Sequence, residues 1–237
     1  MITSLNNEKV KRYAKLKDKK YQKQEKLFIV EGKHLVNEAI KRNYIKEIFL
    51  LKDEENIYGD VTLVTNEVMK KLSSLKNPPK VLAVCHFLKE EKIKGNVVVL
   101  SNIKDPGNAG TIIRSGAAFN YDTIIFSSES VSIYNPKVIR ATEGMLFNIN
   151  IITGSVEEII KKLKKDNYII YGTDVKDGKE PQATNKKHAL VIGSESSGLK
   201  ENIKKLCDQN LYIKMNPKCE SLNAGVSASI LMYSLNK

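Results

Sequence analysis

Short runs of apolar residues alternate with helical patterns along this chain, and that alternation limits its possible folds most strongly. In the C-terminal two-thirds, a β-type run at residues 97–100 precedes a turn, a helical pattern at about 111–119 and a second β-type run at 123–126. Apolar runs of this length between helical periods are typical of β-α-β units. The sequence therefore predicts an α/β domain with a parallel sheet.

The same alternation continues to the end of the chain. We predict further strands at residues 168–171, 189–193 and 211–213, and a last helix at about 221–235. In open parallel sheets, ligands bind where the strands end at their carboxyl sides. The loops that follow these strands are therefore the expected location of a functional site.

The N-terminal part shows a smaller version of this pattern. Apolar runs at residues 27–30, 48–51, 61–64 and 81–87 are separated by helical patterns. A charged stretch at 88–95 ends in Gly95, has little to bury and is typical of a linker. We therefore predict a small α/β domain at residues 1–95 and a larger one at residues 96–237.

The charge balance favours a polyanionic partner. Thirty-nine Lys and Arg residues against 27 Asp and Glu residues leave a net charge of +12. Nucleic acid is the first candidate and an anionic membrane surface the second, although lysine is also an ordinary surface residue. The densest basic run could follow a phosphate backbone or form a solvated helix face. Its basic residues are Lys9, Lys11, Arg12, Lys15, Lys17, Lys19, Lys20, Lys23 and Lys26.

Several classes of protein are disfavoured by the sequence. The longest apolar stretches fall far below the roughly 20 residues that a membrane-spanning helix needs. The first residues are polar, unlike the apolar core of a secretion signal, so we expect a cytoplasmic protein. The cysteines and histidines lack the spacing of a disulfide framework or a metal site, so we expect reduced thiols and no metal. They are Cys85, Cys207, Cys219, His34, His86 and His188.

Three short segments contain the residue types from which a site could be built. The first, residues 102–114, is a turn with two glycines before a helix that carries Arg114. Asn108 could cap that helix, and Arg114 could be an ordinary surface cation. Each of these residues therefore has a structural explanation as well as a functional one.

The second and third segments follow predicted strands. Residues 189–199 end a buried strand in a loop of small residues around Glu195, where backbone amides can approach a ligand closely. This loop lacks the glycine spacing of dinucleotide sites, phosphate loops and hydrolase elbows. Residues 211–228 have the pattern of a strand, a loop and a helix start that Ser221 or Asn223 could cap.

In this order and spacing, the three segments resemble the SpoU family, also called the TrmH family, of RNA 2′-O-ribose methyltransferases within the knotted SPOUT class. The resemblance covers residues 97 to the C-terminus, and residues 138–144 resemble a subsidiary family feature with Thr142 in place of a serine. One departure is Ser196, because the family usually has glycine there. The N-terminal part, around residues 28–32, resembles a small RNA-binding domain related to kink-turn-binding ribosomal proteins.

The resemblance implies a trefoil-knotted parallel-sheet methyltransferase domain preceded by a small α/β RNA-binding domain. It also implies S-adenosylmethionine as cofactor, no metal, an RNA substrate, for which we expect 23S rRNA, and a homodimer. Arg114 is expected nearest the 2′-hydroxyl, either orienting the substrate or assisting deprotonation, and we favour orientation because arginine stays protonated. The implied catalytic residues are Arg114, Asn108, Glu195, Ser221 and Asn223. The implied cofactor-binding residues are Gly193, Ser194, Gly198, Ile213, Leu222 and Ala224.

Other functions stay open at this point. A tRNA 2′-O-methyltransferase, or an rRNA methylase whose mark confers antibiotic resistance, would differ only in its target. A non-catalytic RNA-binding protein of the same fold would keep the basic charge without turnover. An unrelated nucleotide-dependent α/β enzyme is disfavoured because the fingerprints of such enzymes are absent.

Overall fold

A computed structural model describes residues 1–175 and 178–236, which form two compact units. The N-terminal unit comprises Met1–Lys89 and Tyr134–Phe147, and the C-terminal unit comprises Glu90–Ile133 and the residues from Asn148 onwards. These units are defined by contacts between residues, and their first boundary, between Lys89 and Glu90, differs from the predicted domain boundary near Gly95. The domain boundary near Gly95 stays a prediction. No helix within the described ranges is both long and apolar enough to cross a membrane.

Helices and strands alternate along most of the chain. The first half contains α1 (Glu8–Ala14), a 3₁₀ turn (Lys15–Lys17), α2 (Lys19–Glu25), β1 (Leu27–Glu31), α3 (Lys33–Lys41), β2 (Ile45–Leu51), β3 (Thr62–Val64), α4 (Asn66–Leu72) and β4 (Val81–His86). The second half contains β5 (Asn96–Leu100), α5 (Pro106–Ala118), β6 (Tyr121–Ser127), α6 (Pro136–Ala141), a 3₁₀ turn (Met145–Phe147), β7 (Asn150–Gly154), α7 (Val156–Lys165), β8 (Ile169–Thr173), β9 (His188–Ile192), α8 (Glu201–Lys204), β10 (Gln209–Leu211) and α9 (Ala224–Leu235).

The N-terminal unit is built on a mixed four-stranded sheet in the order β1-β4-β2-β3. Strand β4 is antiparallel to both β1 and β2, whereas β3 is parallel to β2. Val10 and Tyr13 of α1 pack with Val68 and Met69 of α4 in the core cluster. The four predicted strands of this part are confirmed, and the basic run forms two short helices joined by the 3₁₀ turn.

The segment Tyr134–Phe147 belongs to the N-terminal unit because its aromatic residues pack there. The ring of Tyr134 lies 3.7 Å from that of Phe87 and 4.9 Å from that of Phe28. Phe147 stacks on Phe28 at 6.2 Å. Arg140, from the predicted family feature, pairs with the buried carboxylate of Glu31 at 3.3 Å. These contacts are remote in sequence, so the residue pattern gave no sign of them.

The C-terminal unit contains an all-parallel six-stranded sheet in the order β10-β8-β9-β5-β6-β7. The predicted parallel α/β class is therefore confirmed. Strand β7 was not predicted, because its sequence Asn-Ile-Ile-Thr-Gly is short and lies at the sheet edge, where alternation is weak. The core between sheet and helices is aliphatic, with Val99, Ile125, Ile160 and Val191 buried.

Three predicted boundaries in this unit were wrong. Helix α5 begins at Pro106 because the Asp105 carboxylate accepts a hydrogen bond from the backbone N–H of Asn108 at 2.8 Å, so Asn108 is not its N-cap. Strand β10 ends at Leu211, two residues before the predicted end. Helix α9 begins at Ala224, and Asn223 is its N-cap, with the side-chain oxygen accepting from the N–H of Val226 at 3.1 Å.

The carboxyl ends of the central strands meet at one edge of this sheet. Leu100 of β5 lies opposite Ile192 of β9, and Thr173 of β8 lies opposite Leu211 of β10. The three predicted segments start from β5, β9 and β10, so their loops begin at this shared edge. Their joint location is a direct consequence of the parallel strand order.

A polar pair lies buried near the opposite, amino edge of the sheet. The hydroxyl of Tyr121 is 2.8 Å from Nε2 of His188, which is fully buried. Nδ1 of His188 lies 2.9 Å from the carbonyl oxygen of Lys186 and donates to it, so Nε2 accepts from the tyrosine. Burial lowers the pKa of His188, which holds the ring neutral.

We predict that this histidine makes stability depend on pH. Unfolded histidine has a pKa of about 6.5, so above that pH neither state is protonated. As the pH falls below about 6.5, the unfolded state takes up a proton first and the free energy of unfolding falls. Urea denaturation between about pH 7.5 and about pH 5 should show a smaller loss in His188→Gln than in wild type. Exposed His86→Gln is the control, and equal losses in all three proteins would contradict the assignment.

Candidate functional site

A cavity of about 910 Å³ lies at the carboxyl edge of the parallel sheet in the C-terminal unit. This is within the range of about 300–1,000 Å³ that is usual for small-molecule sites. The loop after β9, the loop after β10 and the start of α9 form its walls. All the predicted cofactor-binding residues line it, namely Gly193, Ser194, Gly198, Ile213, Leu222 and Ala224.

The loop after β9 is a tight turn closed by its own backbone. Ser194 and Gly198 exchange two backbone hydrogen bonds of 3.0 and 2.9 Å, and the hydroxyl groups of Ser194 and Ser197 lie 2.8 Å apart. A Cβ atom on Gly193 would lie 2.2 Å from the carbonyl carbon of Gly198. Glycine is therefore required at position 193, and the turn presents bare backbone to the cavity.

Ser196 occupies the position at which the family usually has glycine. Its backbone does not adopt a positive φ, in contrast to Gly198 at +63°. The side chain is exposed. Because the conformation is one that serine adopts readily, the substitution leaves the turn intact.

Glu195 joins this turn to the beginning of α5. Its carboxylate accepts hydrogen bonds from the buried side-chain amide of Asn108 at 2.9 Å and from the backbone N–H groups of Lys104 at 3.4 Å and Asp105 at 3.3 Å. Partial burial alone would raise the pKa of Glu195, but these hydrogen bonds outweigh it and the pKa is lowered. Glu195 is therefore ionised at neutral pH and acts as an acceptor.

Arg114 lies on the exposed side of α5. No hydrogen bond or ion pair connects it to another residue in the ranges that the structure describes. Six positions separate it from Asn108, which is about 600° of rotation and about 9 Å of rise along the helix. The two residues therefore point in different directions, Asn108 towards Glu195 and Arg114 towards solvent.

Helices α5 and α9 pack side by side and bring the first and third segments together. The hydroxyl groups of Ser115 and Ser229 lie 2.7 Å apart. A Cβ atom on Gly225 would lie 3.1 Å from Cβ of Thr111, so the small residue allows close approach of the two helices. The small residues at the start of α9 are thus accounted for by helix packing.

The predicted catalytic residues fall into two groups. Glu195 and Ser221 line the cavity. Asn108, Arg114 and Asn223 do not line it, although Asn108 contacts it indirectly through Glu195. The structure thus brings two of these residues to the cavity, holds Asn108 behind it, uses Asn223 as the N-cap of α9 and leaves Arg114 on the neighbouring helix surface.

An ion pair in the cavity wall was not expected from the sequence. Nζ of Lys204 lies 2.5 Å from a carboxylate oxygen of Asp174, and both side chains are largely buried. Asp174 directly follows β8, so the rule on carboxyl ends of strands could have identified it. Lys204 lies on the short helix α8, which had no clear signal in the sequence. Within the described residues, no group of histidine, cysteine or acidic side chains is placed to hold a metal.

Comparison with known proteins identifies relatives of both parts of the chain. Residues 95–233 match the sequence model of the SpoU rRNA Methylase family, and residues 7–83 match that of the MRM3-like substrate binding domain. A similar protein is the 23S rRNA (guanosine(2553)-2′-O)-methyltransferase RlmP of Bacillus subtilis. It is 32% identical, over 99% of this chain and 98% of its own.

Solved structures have the same architecture. An rRNA methyltransferase from Sinorhizobium meliloti has a TM-score of 0.87 at 25% identity, covering 98% of this chain and 95% of its own. The SpoU methyltransferase AviRb of Streptomyces viridochromogenes, solved in complex with AdoMet, has a TM-score of 0.86 at 22% identity and 97% coverage of both chains, which shows a shared fold. Since the family pattern spans more than half of the sequence and RlmP aligns along nearly all of it, this chain belongs to the SpoU rRNA methylase family.

Proposed function

We propose that this chain transfers a methyl group from S-adenosylmethionine to the 2′-hydroxyl of a ribose in 23S rRNA. The observation that carries the proposal is the cavity, where Glu195 both lines the wall and is hydrogen-bonded to the start of the helix that bears Arg114. RlmP, which aligns along nearly the whole chain, is named for this reaction on 23S rRNA. That relative favours rRNA over tRNA and a catalyst over a non-catalytic binder.

The residues around the cavity fit the proposed cofactor. Gly193 packs directly against the backbone of Gly198, which keeps the turn tight, and both residues line the cavity. We propose that Gly193, Ser194 and Gly198 hold it from one side and Ile213, Leu222 and Ala224 from the other. When bound, the cofactor supplies a methyl group already activated on a sulfonium. The protein then has to bind the cofactor, orient the substrate ribose and exclude water from the cavity.

We assign separate roles to the polar residues. Arg114 remains protonated and orients the substrate ribose and its phosphate by charge, since an arginine is a poor base. Glu195 and Asn108 fix the turn against α5 as an ionised acceptor and its buried donor. Ser221 lines the cavity and contacts the substrate ribose, and Asn223 holds the start of α9.

We also propose that the chain forms a homodimer through α9 and the adjacent face of α5. Val226, Ile230 and Tyr233 are 45%, 37% and 68% exposed and recur at helical spacing along α9. An exposed apolar stripe of this kind is typical of a protein interface. The ring of Phe119 lies 5.6 Å from that of Tyr233, so the stripe extends towards α5, the helix of Arg114. A second copy seated there would complete the surroundings of Arg114.

Two further properties are proposed from the family. The C-terminal segment, with β10 and α9, threads into a trefoil knot, an exception to the usual avoidance of knots. Strand β8 lies between β9 and β10 in the sheet, so the last part of the chain must pass across earlier elements to reach its place. An rRNA substrate implies that the protein acts in the cytoplasm.

Replacing Arg114 tests the proposed catalysis. We predict that Arg114→Ala lowers methyl transfer to rRNA about 100-fold or more, a loss typical of one electrostatic contact in the transition state. Cofactor affinity, measured by calorimetry, should change by less than about threefold because Arg114 lies outside the cavity. Lys161→Ala, an exposed cation on α7, is the control. Unchanged transfer in Arg114→Ala would remove this residue from the reaction.

The dimer is tested by placing charge on the stripe. We predict that wild type sediments as a dimer and that the double variant Ile230→Glu/Tyr233→Glu sediments as a monomer, since buried unpaired carboxylates are costly. Lys161→Glu/Lys165→Glu changes two exposed residues of α7 and should leave the dimer intact. A monomeric wild type at micromolar concentration, or a dimeric double variant, would contradict the proposed interface.

A further inference from the structure

The basic run between Glu8 and Lys26 consists of two halves with different electrostatic surroundings. In the first half, Nζ of Lys9 lies 2.9 Å from the carboxylate of Glu47, and Nζ of Lys11 lies 3.2 Å from that of Glu8. Arg12 pairs with Glu25. All three cations of α1 are therefore compensated by carboxylates.

The second half has no such compensation. Its lysines are exposed and form no ion pair within the described part of the chain. They are Lys15, Lys17, Lys19, Lys20, Lys23 and Lys26. Glu25 is already paired with Arg12, and Asp18 is used as the N-cap of α2, accepting from the N–H of Lys20 at 2.8 Å. The acidic residues of the run are thus engaged elsewhere.

Apolar packing does not account for the position of helix α2. Only Gln22 is buried in it, and the Gln22 side-chain amide donates to the carbonyl oxygens of Leu16 at 2.8 Å and Tyr134 at 3.0 Å. A short helix that is polar on almost all sides gains little stability from a core. The amide of Gln22 fixes α2 so that its lysines point outwards.

Tyr21 lies half-buried among these lysines. Nζ of Lys15 is 5.4 Å and Nζ of Lys20 is 5.9 Å from the centre of its ring. Proteins that bind single-stranded nucleic acid combine cationic groups for the phosphates with aromatic rings on which bases stack. Both groups are present here within one short segment, the 3₁₀ turn and helix α2.

We propose that this lysine surface, formed by Lys15 and Lys20 beside the ring of Tyr21, is a docking surface for an unpaired segment of the RNA substrate. The lysines bind successive phosphates, and the ring of Tyr21 stacks on a base. The inference rests on the proposed function, which supplies RNA as the substrate. It also separates the docking half of the basic run from the α1 half, whose cations are used within the protein.

The test compares two charge reversals of equal size in the full chain. Lys15→Glu/Lys20→Glu alters the lysine surface, and Lys52→Glu/Lys70→Glu alters exposed lysines beyond β2 and on α4. Binding to a 23S rRNA transcript is measured over a range of salt concentrations. The first variant should bind at least about tenfold more weakly, with a salt slope shallower by about one to two, because each lost phosphate contact removes about 0.7 to 0.9. The control should change affinity by less than about threefold.

Tyr21 supplies a second, charge-neutral variant. Tyr21→Ala should weaken binding about fivefold or more without altering the salt slope, since one stacked base contributes about 1–3 kcal/mol. Tyr21→Phe should bind like wild type. Equal weakening by both charge reversals, or none by the first, would overturn the docking surface. So would equally tight binding of wild type to phosphatidylserine vesicles.

These outcomes are separable from failure of the proposed function. Calorimetry with S-adenosylmethionine checks the cofactor site alone, because the cavity lies entirely in the C-terminal unit. Circular dichroism and urea denaturation check that the N-terminal unit, which carries the substitutions, has folded. If Lys15→Glu/Lys20→Glu binds and methylates the transcript as wild type does, the docking surface is refuted while the methyltransferase stands. If wild type methylates no RNA, the proposed function is refuted.

Discussion

The carboxylate of Glu195 is the interaction on which the arrangement of the site depends. It connects the turn after β9 to the first turn of α5 through one side-chain and two backbone hydrogen bonds. Asn108 is buried, so removal of the carboxylate would leave its amide without this acceptor, at a cost of about 1–3 kcal/mol. The position of the turn that lines the cavity is therefore coupled to the helix that bears Arg114.

Close backbone packing also determines the arrangement of the site. Gly193 and Gly225 lie where a side chain would meet neighbouring atoms, at the turn and between α5 and α9 respectively. Both contacts depend on the absence of a Cβ atom, which explains one glycine in the second segment and one in the third. By contrast, the departure at Ser196 does not disturb the turn, because the backbone conformation there does not require glycine.

Local patterns in the sequence predicted the parallel sheet and the loops at its carboxyl edge. The family resemblance, and not these patterns, implied the residues that line the cavity. The local patterns failed where distant contacts decide the outcome. Tyr134 joins the N-terminal unit through rings that are far away in sequence. The ion pair between Lys9 and Glu47 likewise depends on a strand that local patterns cannot place beside α1. The ion pair between Asp174 and Lys204 also joins residues that are distant in sequence. The early start of α5 has a different cause, because Asp105 before Pro106 is a local helix-start signal in a segment that was interpreted as a turn.

In the proposed function, the cavity directs a methyl group to a ribose oxygen of RNA. Incubating the purified chain with methyl-deuterated S-adenosylmethionine and a 23S rRNA transcript, then identifying the labelled nucleosides by mass spectrometry, tests this most directly. We expect the label on a 2′-O-methyl ribose at one position of the transcript. Label on a base, or no label from protein that binds the cofactor, would contradict the proposed reaction.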